Sequence, residues 1–166
     1  MEKNNPVKQI GVANIQSSLP KICNSKHEDF LFVDDDNRIL HDVTITSANE
    51  EQPSCSFEQA GPRAYNFFDS SKVRAGIVTC GGLSPGINNV IRTLVMQLHH
   101  NYGVQSIHGF RYGFQGFIPN YQHDILDMTP ANVRNIHNLG GSILSSSRGP
   151  QDPSKIVDCL ERNNIR

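Results

Sequence analysis

Residues 73–92 read V-R-A-G-I-V-T-C-G-G-L-S-P-G-I-N-N-V-I-R. A short β-branched run predicts a strand over 75–80, and this strand leads directly into Gly81 and Gly82. A Ser-Pro-Gly turn and a helix with a periodic apolar face follow. Because glycines let main-chain N–H groups approach an anion, and because the first turn of a helix has unpaired donors, this order predicts a phosphate-binding turn. A tight turn that needs glycine only for its backbone conformation is the alternative.

The glycine spacing separates this turn from two common nucleotide-binding loops. It is not a Walker A loop, because no Gly-Lys-Ser/Thr follows the glycines. The G-G-x-x-x-G of residues 81–86 is not the dinucleotide fingerprint either, because no acidic residue lies at the usual distance to hold a ribose. Spacing alone therefore leaves both phosphate binding and a plain turn open.

The elements on either side of the turn predict the fold class. A helix over 86–100 and a strand over 104–110 form a parallel crossover with the first strand. Thr129 and Pro130 begin a predicted helix over 129–140, and Asp152-Pro153 begins another in the same manner. This alternation predicts an α/β, Rossmann-like three-layer sandwich with a parallel sheet, incomplete, over residues 71–166.

Residues 1–70 are predicted to form a partly irregular N-terminal extension. Apolar runs at 30–33 and 39–45 flank the acidic turn at 34–37, which indicates a β-hairpin. A metal site at the three adjacent aspartates is the alternative to a solvated loop, but adjacent side chains in a turn point in different directions.

Composition excludes several classes of protein. The chain has 166 residues and a formal net charge of −1, which is not the excess of Lys and Arg that nucleic acid binding needs. No apolar run approaches the length of a membrane span, and the first residues lack the apolar core of a signal peptide.

The cysteines favour a reducing compartment. Cys23, Cys55, Cys80 and Cys159 show no C-x-x-C spacing, so we expect neither a zinc site nor any other metal site built by these residues. Free thiols indicate a cytoplasmic protein. Cys80 lies beside the glycine turn, but no base is near it in sequence, so we interpret it as a small residue at a strand end and not as a nucleophile.

Four blocks of sequence together identify a family. They are F-E-Q-A-G-P-R at 57–63, T-C-G-G-L-S-P-G-I-N at 79–88, G-F-R-Y-G-F-Q-G-F at 109–117 and G-G-S-I-L-S-S-S-R-G at 140–149. Their content and order resemble the N-terminal part of a 6-phosphofructokinase. The resemblance favours the ATP-using, plant-type group that carries an N-terminal extension.

The resemblance implies an activity and a set of site residues. The activity would be ATP-dependent phosphorylation of fructose 6-phosphate at its 1-hydroxyl, a step of glycolysis that uses Mg²⁺. Gly82, with Gly81, matches the family's glycines at the ATP phosphates, and Arg148, with Gly149, matches the arginine that reaches the transferring phosphoryl group. Arginine suits this role because its planar fork bridges phosphate oxygens. The alternative for Arg148 is a solvated surface side chain. Family members are homo-oligomers.

The resemblance also implies what these residues do not supply. In the family, the G-G-D-G turn that holds Mg²⁺ and the T-I-D-N-D segment with the catalytic aspartate follow the blocks quoted above. We therefore expect an N-terminal fragment that carries half of the nucleotide site and is inactive alone. The alternatives are a fragment of a pyrophosphate-dependent enzyme, and a non-catalytic module that binds nucleotide or a partner protein.

Overall fold

The computed structural model describes residues 11–19, 32–41 and 55–165, and the chain divides into two compact units, Met1–Phe67 and Phe68–Arg166. Among the described residues no helix combines the length and the apolar character needed to cross a membrane. Cys55, Cys80 and Cys159 are free thiols, whereas Cys23 lies outside the described residues.

The described strands of the first unit form two short antiparallel ladders. Strand β1 (Ile15–Gln16) pairs with β4 (Tyr65–Asn66), and β2 (Arg38–Leu40) pairs with β3 (Ser56–Glu58). Arg63 connects the loops, because its guanidinium donates to the carbonyl oxygens of Val33, Asp34 and Gln59 and to the carboxylate of Glu58 at 2.7–2.9 Å. A single guanidinium therefore joins these described loops of the first unit.

The predicted hairpin differs from the pairing that is observed. The acidic turn is confirmed at residues 35–36, but β2 pairs with β3 and not with the run before the turn. Residues 30–31 and 42–45 lie outside the described residues, and 32–33 are not in a strand. The main chain of Val33 is engaged elsewhere, since its N–H donates to Pro62 O at 2.9 Å and its carbonyl accepts from Arg63.

A three-stranded sheet forms the centre of the second unit. Strands β5 (Arg74–Val78) and β6 (Ser106–Phe110) are parallel, as predicted. Strand β7 (Ile125–Asp127) pairs antiparallel with β6, so the sheet is mixed, with an antiparallel strand added to the predicted parallel pair. Three residues are too few to show the alternation by which a strand is recognised in sequence. Ile165 forms a parallel bridge with Arg74 on the other edge of β5.

Helix α1 (Ile87–Met96) confirms the predicted crossover and covers one face of the sheet. It continues into a π-helical turn, Gln97–Asn101. Ile91 and Val95 are fully buried against Ile77 and Ile107 of the two parallel strands. Each such aliphatic side chain contributes about 1.5–3 kcal/mol by leaving water, so this contact is the main core of the unit.

Helix α2 (Pro153–Arg162) covers the opposite face. Its predicted start is confirmed, because the Asp152 carboxylate accepts a hydrogen bond from Ser154 N at 3.0 Å. Cys159 of α2 packs with Phe110 of β6 and Phe117 of a neighbouring 3-10 turn. Successive strand residues face opposite sides of a sheet, so the two helices form the outer layers of an α/β sandwich.

The helix predicted over 129–140 is wrong. Turns occupy 130–135, and a 3-10 turn, Ile136–Asn138, follows. Thr129 Oγ1 does accept from Asn132 N at 3.2 Å, as a helix cap would, but the Asn132 side chain donates back to Asp127 O at 2.8 Å. Val133 and Ile136 are both buried three residues apart, a spacing that suits 3-10 geometry.

Candidate functional site

Three loops meet at the carboxyl ends of β5 and β6. The first runs from β5 to α1 and contains the glycine turn, the second follows β6 through the 3-10 turn Gly113–Phe117, and the third contains the serines of 145–147. Parallel strands end at the same edge of a sheet, which is where α/β folds bind ligands. The packing of Gly113 shows the convergence, since an added Cβ there would lie 3.0 Å from Ser147 Oγ and 3.4 Å from Thr79 O.

The glycine turn is open and offers main-chain donors. A Cβ added to Gly81 or to Gly82 would meet no atom within 4 Å. Gly81 has φ +89°, a conformation that favours glycine, whereas Gly82 does not lie in that region. The N–H groups of Gly81, Gly82 and Leu83 have no acceptor among the described residues. Such unpaired donors at the start of a helix suit an anion.

Hydroxyl groups connect the glycine turn to the serine segment. Ser146 Oγ donates to Gly81 O at 2.6 Å. Thr79 Oγ1 donates to Ser145 O at 2.7 Å and lies 3.0 Å from Ser142 Oγ. The two loops are 63 to 66 residues apart in sequence and are nevertheless held side by side by these bonds.

A buried asparagine fixes the third loop to α1. Asn88 is 2% exposed, its Nδ2 donates to Leu139 O at 3.0 Å, and its Oδ1 accepts from Ile143 N at 2.9 Å. The sequence patterns indicate no role for Asn88, Thr79 or Ser146. An amide on the apolar face of a helix was a usable signal for Asn88, whereas small hydroxyl residues in loops carry little signal.

Arg148 lies two residues beyond the serine that contacts Gly81. Two residues of extended chain span about 7 Å at most, so the Arg148 main chain lies near the residue that contacts the glycine turn. Arg148 is exposed and makes no hydrogen bond or ion pair with any described residue. Gly149 follows with φ +97° and open space at its Cβ position. A guanidinium without a carboxylate partner is available to bind an anion.

Cys80, beside the glycine turn, is not activated. Partial burial raises the pKa of its thiol above the ordinary value of 9.0, and a hydrogen bond from the main-chain N–H of Phe114 opposes this only in part. The nucleophilic form of cysteine is the thiolate, and a raised pKa disfavours that form.

Metal-ligating side chains are not grouped in the described part of the chain. Within residues 11–19, 32–41 and 55–165, no three His, Cys, Asp or Glu side chains are grouped so that they could hold a metal ion. Among these residues, therefore, no such group is available to hold the Mg²⁺ that the resemblance implies.

A family model and curated relatives match the chain. The model described as phosphofructokinase matches residues 74–166. The ATP-dependent 6-phosphofructokinase of Amycolatopsis methanolica is 42% identical over 163 residues, which cover 96% of this chain and 35% of that protein. That of Borreliella burgdorferi is 42% identical over 135 residues, covering 81% of this chain and 30% of its own length.

A plant protein also matches. The chloroplastic ATP-dependent 6-phosphofructokinase 4 of Arabidopsis thaliana is 40% identical over 134 residues, which cover 81% of this chain and 24% of the relative. The chain therefore spans between 24% and 35% of the length of these three relatives.

Proposed function

Because the chain belongs to the phosphofructokinase family, we propose that its glycine turn and Arg148 bind the phosphates of ATP. The main-chain N–H groups of Gly81 and Gly82 would donate to the nucleotide phosphates. Arg148, with Gly149 giving its backbone room, would place positive charge at the phosphoryl group that is transferred. The observation that carries this proposal is the set of unpaired, uncrowded main-chain N–H groups in the glycine turn. A hydroxyl hydrogen bond holds this turn beside the segment that contains Arg148.

The reaction that we propose is phosphorylation of fructose 6-phosphate by ATP. The 1-hydroxyl oxygen of the sugar would attack the γ-phosphorus, the bond from that phosphorus to the β–γ bridging oxygen would break, and ADP would leave while a base takes the hydroxyl proton. Phosphoryl transfer needs positioning and charge stabilisation more than covalent help, and that is what a glycine turn and an arginine supply. Bound with the nucleotide, Mg²⁺ would neutralise further phosphate charge. We assign no general base to the described residues.

The relatives favour ATP over pyrophosphate as the donor, since all three are named ATP-dependent. We further propose that residues 1–70 form an extension ahead of a nucleotide-binding α/β domain at 71–166. A homo-oligomeric assembly in the cytoplasm belongs to the same proposal.

The proposal is tested by measuring ATP affinity in a pair of alanine variants. Gly82→Ala adds a methyl group where no protein atom lies within 4 Å and where φ is ordinary, so the variant should fold as the wild type does. The same methyl group would obstruct a phosphate that touches the main chain. We expect calorimetry or equilibrium dialysis to show ATP binding about tenfold weaker or more, a change of about 1.4 kcal/mol.

Gly140→Ala is the matched control. Gly140 also has open space at its Cβ position and an ordinary φ, but it is not one of the proposed phosphate contacts. Its ATP affinity should equal that of the wild type. Equal affinity in the wild type and Gly82→Ala would show that phosphate does not approach this main chain, and the proposal would be wrong.

A further inference from the structure

The Gly81–Gly82 peptide group is oriented by a side chain from another loop. Ser146 Oγ donates to Gly81 O at 2.6 Å, at the short end of hydroxyl-to-oxygen hydrogen bonds. The described residues contain no cis peptide bond. In a planar trans peptide the carbonyl and the following N–H point in opposite directions. The N–H of Gly82 therefore points away from Ser146.

We infer that Ser146 is a positioning residue that directs the Gly82 N–H toward the bound phosphate. This inference rests on the proposed function, because the phosphate is the group that the N–H would meet. The Gly82 N–H has no acceptor among the described residues, and the turn around it is uncrowded, since an added Cβ on either glycine finds no atom within 4 Å.

The Gly81–Gly82 peptide group needs this hydrogen bond for its orientation, because the turn has no side chains that restrain it. Gly81 has no side chain, and glycine occupies positive and negative φ about equally readily. No contact at either Cβ position restrains the peptide group. Without the bond from Ser146, the carbonyl and the N–H could exchange places, and a carbonyl oxygen would then face the phosphate. Donors that are already oriented lose less conformational entropy when the ligand binds than donors that the ligand must order.

Ser146 is itself held in place by its neighbours. The preceding carbonyl, Ser145 O, accepts from Thr79 Oγ1 at 2.7 Å, and Ser145 has φ +57°. The hydroxyl of Ser142 is 3.0 Å from Thr79 Oγ1 and accepts from Leu144 N at 3.2 Å. The next serine, Ser147, makes no side-chain hydrogen bond with any residue in the described part of the chain. Ser146 is therefore the serine of this loop that contacts the glycine turn.

The orientation is tested without any ligand. We would measure the ¹⁵N–¹H residual dipolar coupling of Gly82 in the weakly aligned full chain, in the wild type and in Ser146→Ala, Ser146→Thr and Ser147→Ala. The coupling should match the oriented N–H in the wild type, shrink toward its motional average in Ser146→Ala, and return in Ser146→Thr, which keeps the hydroxyl. Ser147→Ala should equal the wild type, and the couplings of β5 should stay constant throughout. An unchanged Gly82 coupling in Ser146→Ala overturns the inference.

A titration with ATP then tests whether the oriented Gly82 N–H contributes to ATP binding. We expect the Gly82 amide resonance of the wild type to shift with ATP, and the affinity to fall about 3- to 10-fold in Ser146→Ala but not in Ser146→Thr or Ser147→Ala. Equal affinity in Ser146→Ala, together with an altered coupling, overturns the positioning role. Failure of the wild type to bind ATP refutes the proposed function and with it the phosphate role of Ser146, while the coupling still decides whether Ser146 orients the peptide.

Discussion

Asn88 Oδ1 accepts a hydrogen bond from the main-chain N–H of Ile143 at 2.9 Å, across 55 residues of sequence. The same side chain donates to Leu139 O at 3.0 Å, so a single buried amide holds both ends of the turn that leads into the serine segment. The helix that begins behind the glycine turn and the loop that carries Arg148 are thereby fixed to one another.

Replacing Asn88 by alanine should therefore destabilise the second unit. Asn88→Ala leaves Leu139 O and Ile143 N without their partner, and each unsatisfied buried group costs about 1–3 kcal/mol. We expect the free energy of unfolding, measured by urea denaturation, to fall by about 2–4 kcal/mol. Asn89→Ala is the control, since Asn89 is exposed and its replacement should change stability by less than about 0.5 kcal/mol. Equal stability of the two variants would contradict the bridging role.

Gly116 is predicted to tolerate no side chain. Its added Cβ would collide with the main-chain oxygen of Arg111, and main-chain atoms cannot move aside as a flexible side chain can. We expect Gly116→Ala to lower the free energy of unfolding by about 2–3 kcal/mol, the cost of severe overpacking. Gly140→Ala, with open space at the same position, should leave it nearly unchanged. Denaturation curves that coincide for the two variants would refute this account of the glycine.

Arg63→Lys should loosen the first unit although the charge is kept. A lysine cannot reproduce the guanidinium fork that contacts Val33 O, Asp34 O and Gln59 O. We expect amide hydrogen exchange of Val33, whose N–H donates to Pro62 O, to become about tenfold faster, corresponding to loss of about 1.4 kcal/mol. Arg134→Lys is the control, because the Arg134 side chain makes no hydrogen bond with the described residues. If the amide hydrogen exchange of Val33 is unchanged in Arg63→Lys, the guanidinium does not hold these loops together.

Asp69 should titrate well below an ordinary aspartate. Hydrogen bonds from the side chains of Lys72 and Ser71 lower its pKa from 3.8 to about 2. Because the folded pKa is depressed, the stabilisation is fully present above pH 3.8 and is lost as the pH falls toward 2. The carboxyl ¹³C resonance should report this midpoint, and Lys72→Ala should raise it. The side chain is exposed, so added salt should weaken the ion pair. A wild-type midpoint near 3.8 would contradict this interaction.

The crossover was predictable from sequence because its signals are strong. Helix α1 shows a periodic apolar face between two β-branched runs, and Asp152 with Pro153 is a clear helix start. The turns at 130–135 were not predictable, because Thr129 and Pro130 carry the same signal at the start of a segment that does not become a helix. There the Asn132 amide bonds to Asp127 O and competes with helical hydrogen bonding.

The candidate site also contains some residues that sequence patterns could identify and some contacts that they could not. Glycines before a helix indicate a turn whatever surrounds them, so Gly81 and Gly82 could be selected from sequence. The bonds from Thr79 and Ser146 join loops more than 60 residues apart, and no local pattern specifies such a contact. In the first unit β2 pairs with β3 where a hairpin with the preceding run was expected. No local sequence pattern specifies that pairing either.

Thermal unfolding with and without Mg·ATP shows whether the glycine turn and Arg148 bind nucleotide phosphates. A ligand raises the melting temperature only if it binds the folded state. We expect millimolar Mg·ATP to raise the melting temperature of the wild type in a concentration-dependent way. Without nucleotide, Arg148→Ala should have the melting temperature of the wild type, because Arg148 has no partner among the described residues. With Mg·ATP, the melting temperature of this variant should rise little or not at all. A wild-type melting temperature that saturating Mg·ATP does not change would contradict the claim.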